Sequence, residues 1–119
     1  MTTKDKISFD EFLAIESKLD IRIGQIVAVE RVPKSKKLLK LTVIFGTEDT
    51  EEKTVVTNLG DKYEDEQDLS GLIAPFIVNL EPVTMMGITS EAMIVAGTSY
   101  DNGSLQLGLF NMGLGTKMI

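Results

Sequence analysis

Arg31, Lys34, Lys36, Lys37 and Lys40 fall within RVPKSKKLLK, residues 31–40, with no acidic side chain among them. Five of the twelve basic residues thus occupy ten positions, a local +5 in a chain whose formal net charge is −6. Clustered ammonium groups attract phosphate, and each phosphate they neutralise releases condensed counterions. A second concentration lies at 79–97, NLEPVTMMGITSEAMIVAG, which holds three of the six methionines, spaced by glycine, serine and threonine. Methionine adapts to irregular surroundings, so this stretch reads either as core filler or as a contact surface. Ser90 offers a hydroxyl that either donates to a phosphate or ribose 2′-OH or braces its own loop through a backbone bond.

Other chemistries are excluded by what the chain lacks. It has no histidine and no cysteine. Ser-His-Asp and Cys-His machinery, imidazole and thiolate metal sites, disulfides and redox motifs are therefore all absent. No catalytic residue, metal or cofactor is expected, and the chain reads as a binding protein rather than an enzyme. Acids gather at Glu48, Asp49, Glu51 and Glu52 and again at Asp61, Glu64, Asp65, Glu66 and Asp68, runs that read as solvated loops. The charged N-terminal stretch MTTKDKISFDEF does not fit a signal peptide, and no apolar run reaches the roughly 18 residues of a membrane helix. A cytoplasmic location is expected.

The elements that must position these residues follow from periodicity. Ser8, with Glu11 three residues on, predicts a helix start, and the short helix would bury Phe9, Phe12 and Leu13 as a plug for one end of a core. DIRIGQIVAVERV, from Asp20, predicts a strand bent at Gly24. LLKLTVIF, 38–45, places Leu39, Leu41, Val43 and Phe45 on one face, and KTVVTNL, 53–59, places Val55, Thr57 and Leu59 likewise, which predicts an antiparallel hairpin. A polar connection with a helical turn leads to LIAPFIVNL, 72–80, where Pro75 predicts an edge strand or a bulge. SEAMIVAG, 90–97, reads as a fifth strand and SLQLGLF, 104–110, as a sixth.

Five strands with a helical connection between the third and fourth predict an all-β, five-stranded OB-fold barrel, with a short N-terminal helix and a C-terminal β extension. The whole chain, 1–119, reads as one such domain. In that layout the basic run joins strands one and two and the methionine stretch joins strands four and five. Those are the two loops with which OB-folds hold oligonucleotides. Aromatic platforms are scarce, since there is no tryptophan and Phe45 and Phe76 fall in core-like patterns. Shape recognition of folded RNA is expected ahead of base stacking.

DIRIG at 20–24, PKSKKLLKL at 33–41, and NLEP followed by GITSEAM at 79–93 resemble the tRNA-binding domain family. That family includes free-standing structure-specific tRNA-binding proteins, the C-terminal domain of bacterial methionyl-tRNA synthetases, the endothelial-monocyte-activating polypeptide domain and CsaA-like chaperones. The resemblance spans residues 8 to 119 and implies non-catalytic, shape-specific tRNA binding by a homodimer. The basic loop of the family falls on Lys34, Lys36 and Lys37, with Lys40 just beyond, and its second motif on Asn79, Leu80, Pro82, Gly87, Ser90 and Met93. Thr84, Met85 and Met86 stand where relatives carry a basic residue before the glycine, which weakens phosphate contact there. Ala92 replaces a glycine of the motif, and Thr57 and Asn58 replace a Ser-Gly pair. The RNA-binding set is therefore Lys34, Lys36, Lys37, Lys40, Asn79, Thr84, Ser90 and Met93. The apolar tail, 98–119, is expected to pack on a second subunit. An unfolded polypeptide, bound as CsaA-like proteins bind it, and an aminoacyl-tRNA synthetase are the alternative partners.

Overall fold

The computed structural model describes residues 3–46, 52–98, 105–106, 113–115 and 117–118. One helix, α1 (Phe9–Glu16), precedes a sheet built from β1 (Ile21–Arg31), β2 (Leu39–Ile44), β3 (Lys53–Thr57), β4 (Ile73–Ile77) and β7 (Met93–Ile94). The strands run in the order β3-β2-β1-β4-β7, each pairing antiparallel. The hairpin β5 (Val83–Met85) and β6 (Ile88–Ser90) stands off this sheet, as does the pair β8 (Gly97–Thr98) and β9 (Leu105–Gln106). A last short strand, β10 (Lys117–Met118), joins β1. No described helix is long and apolar enough to cross a membrane.

The two-residue periodicity of the sequence is realised in the core. Leu39, Leu41, Val43 and Val55 are fully buried, with Ile26 and Phe76 against them. Phe45 meets Phe76 edge-on, centroids 5.6 Å apart, an arrangement the ring quadrupoles favour. β1 is long because it serves two neighbours: residues 21–25 pair with β4 and residues 25–31 with β2. Gly24 sits where the strand turns from one to the other. A Cβ there would lie 2.8 Å from the side chains of Phe45 and Val43. A register shift between Ile26 and Ala28 adds further bend.

The barrel closes between β3 and residues 90–91, just ahead of β7, through two side chains and one backbone bond. Ser90 Oγ accepts the Val56 N–H at 2.9 Å, and Glu91 Oε2 accepts that of Thr54 at 2.9 Å, while the Glu91 N–H donates to the Thr54 carbonyl. These bonds satisfy the β3 edge in place of a full ladder.

Several expectations are corrected. α1 has the expected cap, Ser8 Oγ accepting from Glu11 N at 3.1 Å, but it plugs nothing: Phe9 is 73% exposed, Phe12 41% and Leu13 44%. The barrel is filled instead by Leu69, fully buried on the short 3₁₀ turn Glu66–Leu69 between β3 and β4. That burial stabilises by about 1.5–3 kcal/mol. Pro75 lies in an interior strand rather than an edge. Its carbonyl accepts from Val95 N at 2.9 Å, so its N atom also faces the β7 side, where the ladder has just run out after Phe76↔Ile94.

The 90–97 segment is divided rather than one strand, because Ser90 and Glu91 are drawn to β3. Of the tail, Gly115 and β10 lie along β1 of the same chain, with Ile21 opposite Met118 and Gly115 N donating to Ile23 O at 2.9 Å. β2 joins β1 only from Gln25, and the tail satisfies the edge left open before it. The rest of the expected 104–110 strand lies outside the described residues.

Candidate nucleic-acid interface

The loop between β1 and β2 is held by its own backbone. Val32 N donates to Leu38 O and Ser35 N to Val32 O, each at 3.1 Å, and Ser35 Oγ accepts from Leu38 N. Lys34 adopts a left-handed φ of 68°. The loop is pinned to the turn after β3 by Gly60, whose N–H reaches Lys37 O at 2.7 Å; a Cβ on Gly60 would come 2.8 Å from that oxygen. Arg31 completes the anchor, donating to Gly60 O and Tyr63 O at 2.9 Å and pairing with Glu66 at 3.1 Å. Its charge is therefore spent on architecture. Lys34, Lys36 and Lys37 are exposed and Lys40 half-buried, and among the described residues none has an ion-pair partner.

On the opposite side, β5 and β6 meet at Met86 and Gly87, whose φ values of 49° and 82° are the two positive angles a type I′ hairpin turn requires. Thr84 and Thr89 pair across the hairpin, their hydroxyl oxygens 3.0 Å apart on the exposed face. Met86 and Met93 are half exposed, at 55% and 50%.

Between the lysine loop and this hairpin runs an open groove of about 380 Å³, lined by Leu38, Val56, Asn58, Met85, Met93 and Ile94 among others. A smaller part of about 180 Å³ continues past Val56, Met85 and Met93 toward Glu81. Lys40 stands opposite Val56 in the β2–β3 ladder, and paired residues share a face, so its side chain belongs to this surface.

The structure places Met93 in the groove, Lys37 and Lys40 next to its lining residues Leu38 and Val56, Lys34 and Lys36 in the loop that ends at Leu38, and Thr84 on the exposed hairpin beside Met85. Two expected contacts are otherwise engaged. The Ser90 hydroxyl, 7% exposed, accepts from Val56 N and donates to Ala92 O at 3.1 Å. The Asn79 amide accepts from Asp20 N at 2.9 Å and donates to Lys18 O at 2.6 Å, tying the end of α1 to the barrel. Asp20 in turn accepts from Arg22 at 2.6 Å, and this hydrogen bond holds its carboxyl below the usual carboxylate range. Leu38, Val56, Asn58 and Met85 are groove residues absent from the expected set. The sequence signals for Asn58 are a polar residue at the end of an apolar strand and its place, with Thr57, where relatives carry a Ser-Gly pair.

A five-stranded antiparallel barrel with a helical turn between its third and fourth strands, and a basic loop facing a second loop across an open groove, is an OB-type barrel. Residues 21–112 match the family model described as "Putative tRNA binding domain", and the chain belongs to that family. It is 43% identical over 104 residues to a methionine–tRNA ligase of Methanococcoides burtonii, an alignment covering 87% of this chain and 14% of the ligase. The chain thus spans only about a seventh of that enzyme. Among solved structures it is similar to a MetRS-related protein from Pyrococcus horikoshii, with a TM-score of 0.79, 29% identity, and coverage of 98% of this chain and 100% of that one. It is also similar to the chaperone CsaA from Bacillus anthracis, with a TM-score of 0.71, 28% identity, and coverage of 97% and 100%.

Proposed function

We propose that this protein binds tRNA without catalysing a reaction on it, gripping the phosphate backbone of the folded molecule as a free-standing homodimer in the cytoplasm. The observation that carries this reading is the set of four lysines, Lys34, Lys36, Lys37 and Lys40, unpaired among the described residues and carried by the loop and strand that meet the groove at Leu38 and Val56. Their loop is pre-formed by Gly60 and Arg31, so little ordering entropy is lost on binding. Recognition is chiefly by shape, the lysines meeting phosphates whose positions the folded molecule fixes. Two copies, each offering one basic loop, would straddle one tRNA and gain from bivalency. The apolar side chains exposed on and just before α1, Ile7, Phe9, Phe12 and Ile15, support such a pairing.

Gel-shift titration at about 50 mM salt tests the site. Lys36→Ala/Lys37→Ala is expected to weaken tRNA binding and to make the salt slope shallower by about 0.7–0.9 per lysine removed. Unchanged affinity removes the lysine loop from the site. A second reading, binding of unfolded polypeptide, is favoured by the apolar groove and by the likeness to CsaA; suppression of aggregation without tRNA binding would establish it. The likeness to a methionine–tRNA ligase makes a synthetase a further candidate partner, separable from RNA by pull-down with and without nuclease.

A further inference from the structure

We propose that the groove between the lysine loop and the β5–β6 hairpin receives an unpaired nucleobase of the bound RNA. This deepens the tRNA-binding reading and rests on it. The walls are apolar, formed by Leu38, Val56, Met85, Met93 and Ile94, and no charged residue is among the described lining of the larger part. A phosphate lying on these walls would exchange water for apolar side chains, which places the backbone along the lysines and not in the slot. The lysines instead stand at its rim: Leu38 directly follows Lys37, whose carbonyl is fastened to Gly60, and Lys40 shares the face of Val56. The arrangement separates a charged rim from an apolar slot, as a nucleotide separates its phosphate from its base.

Asn58 decides between a base and an apolar peptide side chain. It is exposed, lines the groove and makes no hydrogen bond among the described residues. Its amide presents a donor and an acceptor side by side, the pair that a base edge complements. An apolar side chain would cover that amide without pairing it and would gain nothing from the lysines. Met85 and Met93 supply the faces: thioether sulfur against an aromatic ring is favourable by about 0.3–1.5 kcal/mol. Methionine here takes the place of the aromatic platform that other OB barrels use. At about 380 Å³ the groove reaches the lower range of small-ligand sites, about 300–1,000 Å³.

The test compares a short single-stranded RNA with the same strand carrying abasic residues at its centre, so that the phosphate count is unchanged. Wild-type protein is expected to bind the complete strand about fivefold more tightly, the worth of one ordinary hydrogen bond or sulfur–ring contact. Met93→Ala and Asn58→Ala should each reduce that ratio toward one while leaving the salt slope as it was, with thermal melts verifying that both variants are folded. Equal affinity for the two strands, with Lys36→Ala/Lys37→Ala still weakening tRNA binding, overturns the base slot and leaves the phosphate reading standing. An unfolded apolar peptide whose binding is lost in Met93→Ala, with no base-dependent difference for RNA, overturns it in favour of polypeptide. Absence of any RNA binding by wild-type protein removes both readings.

Discussion

Ser90→Ala separates a structural hydroxyl from an RNA contact. The Ser90 Oγ accepts from Val56 N at 2.9 Å and donates to Ala92 O at 3.1 Å, with all three residues about 7% exposed. Alanine removes both bonds and leaves a buried donor and a buried acceptor without partners. An orphaned buried group costs about 1–3 kcal/mol, so a loss of roughly 2–3 kcal/mol is expected for the pair. Unfolding carries about 2.1 cal/mol/K of entropy per residue, or roughly 0.25 kcal/mol/K for 119 residues, which converts that loss to a fall in Tm of about 8–12 °C. Thermal melts monitored by circular dichroism read this directly. Thr89→Ala is the control: its hydroxyl meets only the exposed Thr84, and a change within about 0.5 kcal/mol is expected. Affinity of Ser90→Ala for tRNA, measured well below its Tm, should match wild type. An unchanged Tm with weakened binding would refute the reasoning and give the hydroxyl to the RNA.

Gly60→Ala places a methyl group 2.8 Å from the Lys37 carbonyl, so the lysine loop must shift away from its anchor. Weakened tRNA binding in a gel shift, with the salt slope retained because no charge is removed, is the expected result. The depressed pKa of Asp20, set first by its hydrogen bond from Arg22, makes its contribution to stability complete above the ordinary value of 3.8, and that contribution is lost as the pH falls through the lower, folded-state value. Asp20→Asn should therefore lose less stability than wild type in urea melts between about pH 5 and pH 2.

The reading from sequence succeeded where side-chain alternation carries the information. Leu39, Leu41 and Val43 against Lys40 and Thr42 could only form a one-sided strand, and they do. It failed at α1, where an amphipathic pattern shows that an apolar face exists but not which element covers it. Leu69, on the turn between β3 and β4, is the residue that enters the core. Val56 alternates with Val55 and Thr57 and yet is buried as they are, because the hairpin ending at Ser90 folds over it. The same contact turned Ser90 from a ligand candidate into a brace. Met93 went the other way: it sits in a strand, where methionine is usually core, but that strand is two residues long and its side chain faces the groove.

The sequence by itself determined an OB-type barrel, the positions of its main strands along the chain, and a cationic loop and a methionine-bearing one between them, because these rest on local periodicity, turn chemistry and charge. Which polar groups are free was decided only by the tertiary structure. Arg31, Asn79 and Ser90 are spent on backbone groups 29 to 61 residues away in sequence, while Lys34, Lys36, Lys37, Lys40 and Asn58 make no such bond through their side chains among the described residues. Unmet backbone donors and acceptors exist only once the barrel has closed, and they take their partners from whichever side chains the closure brings within reach.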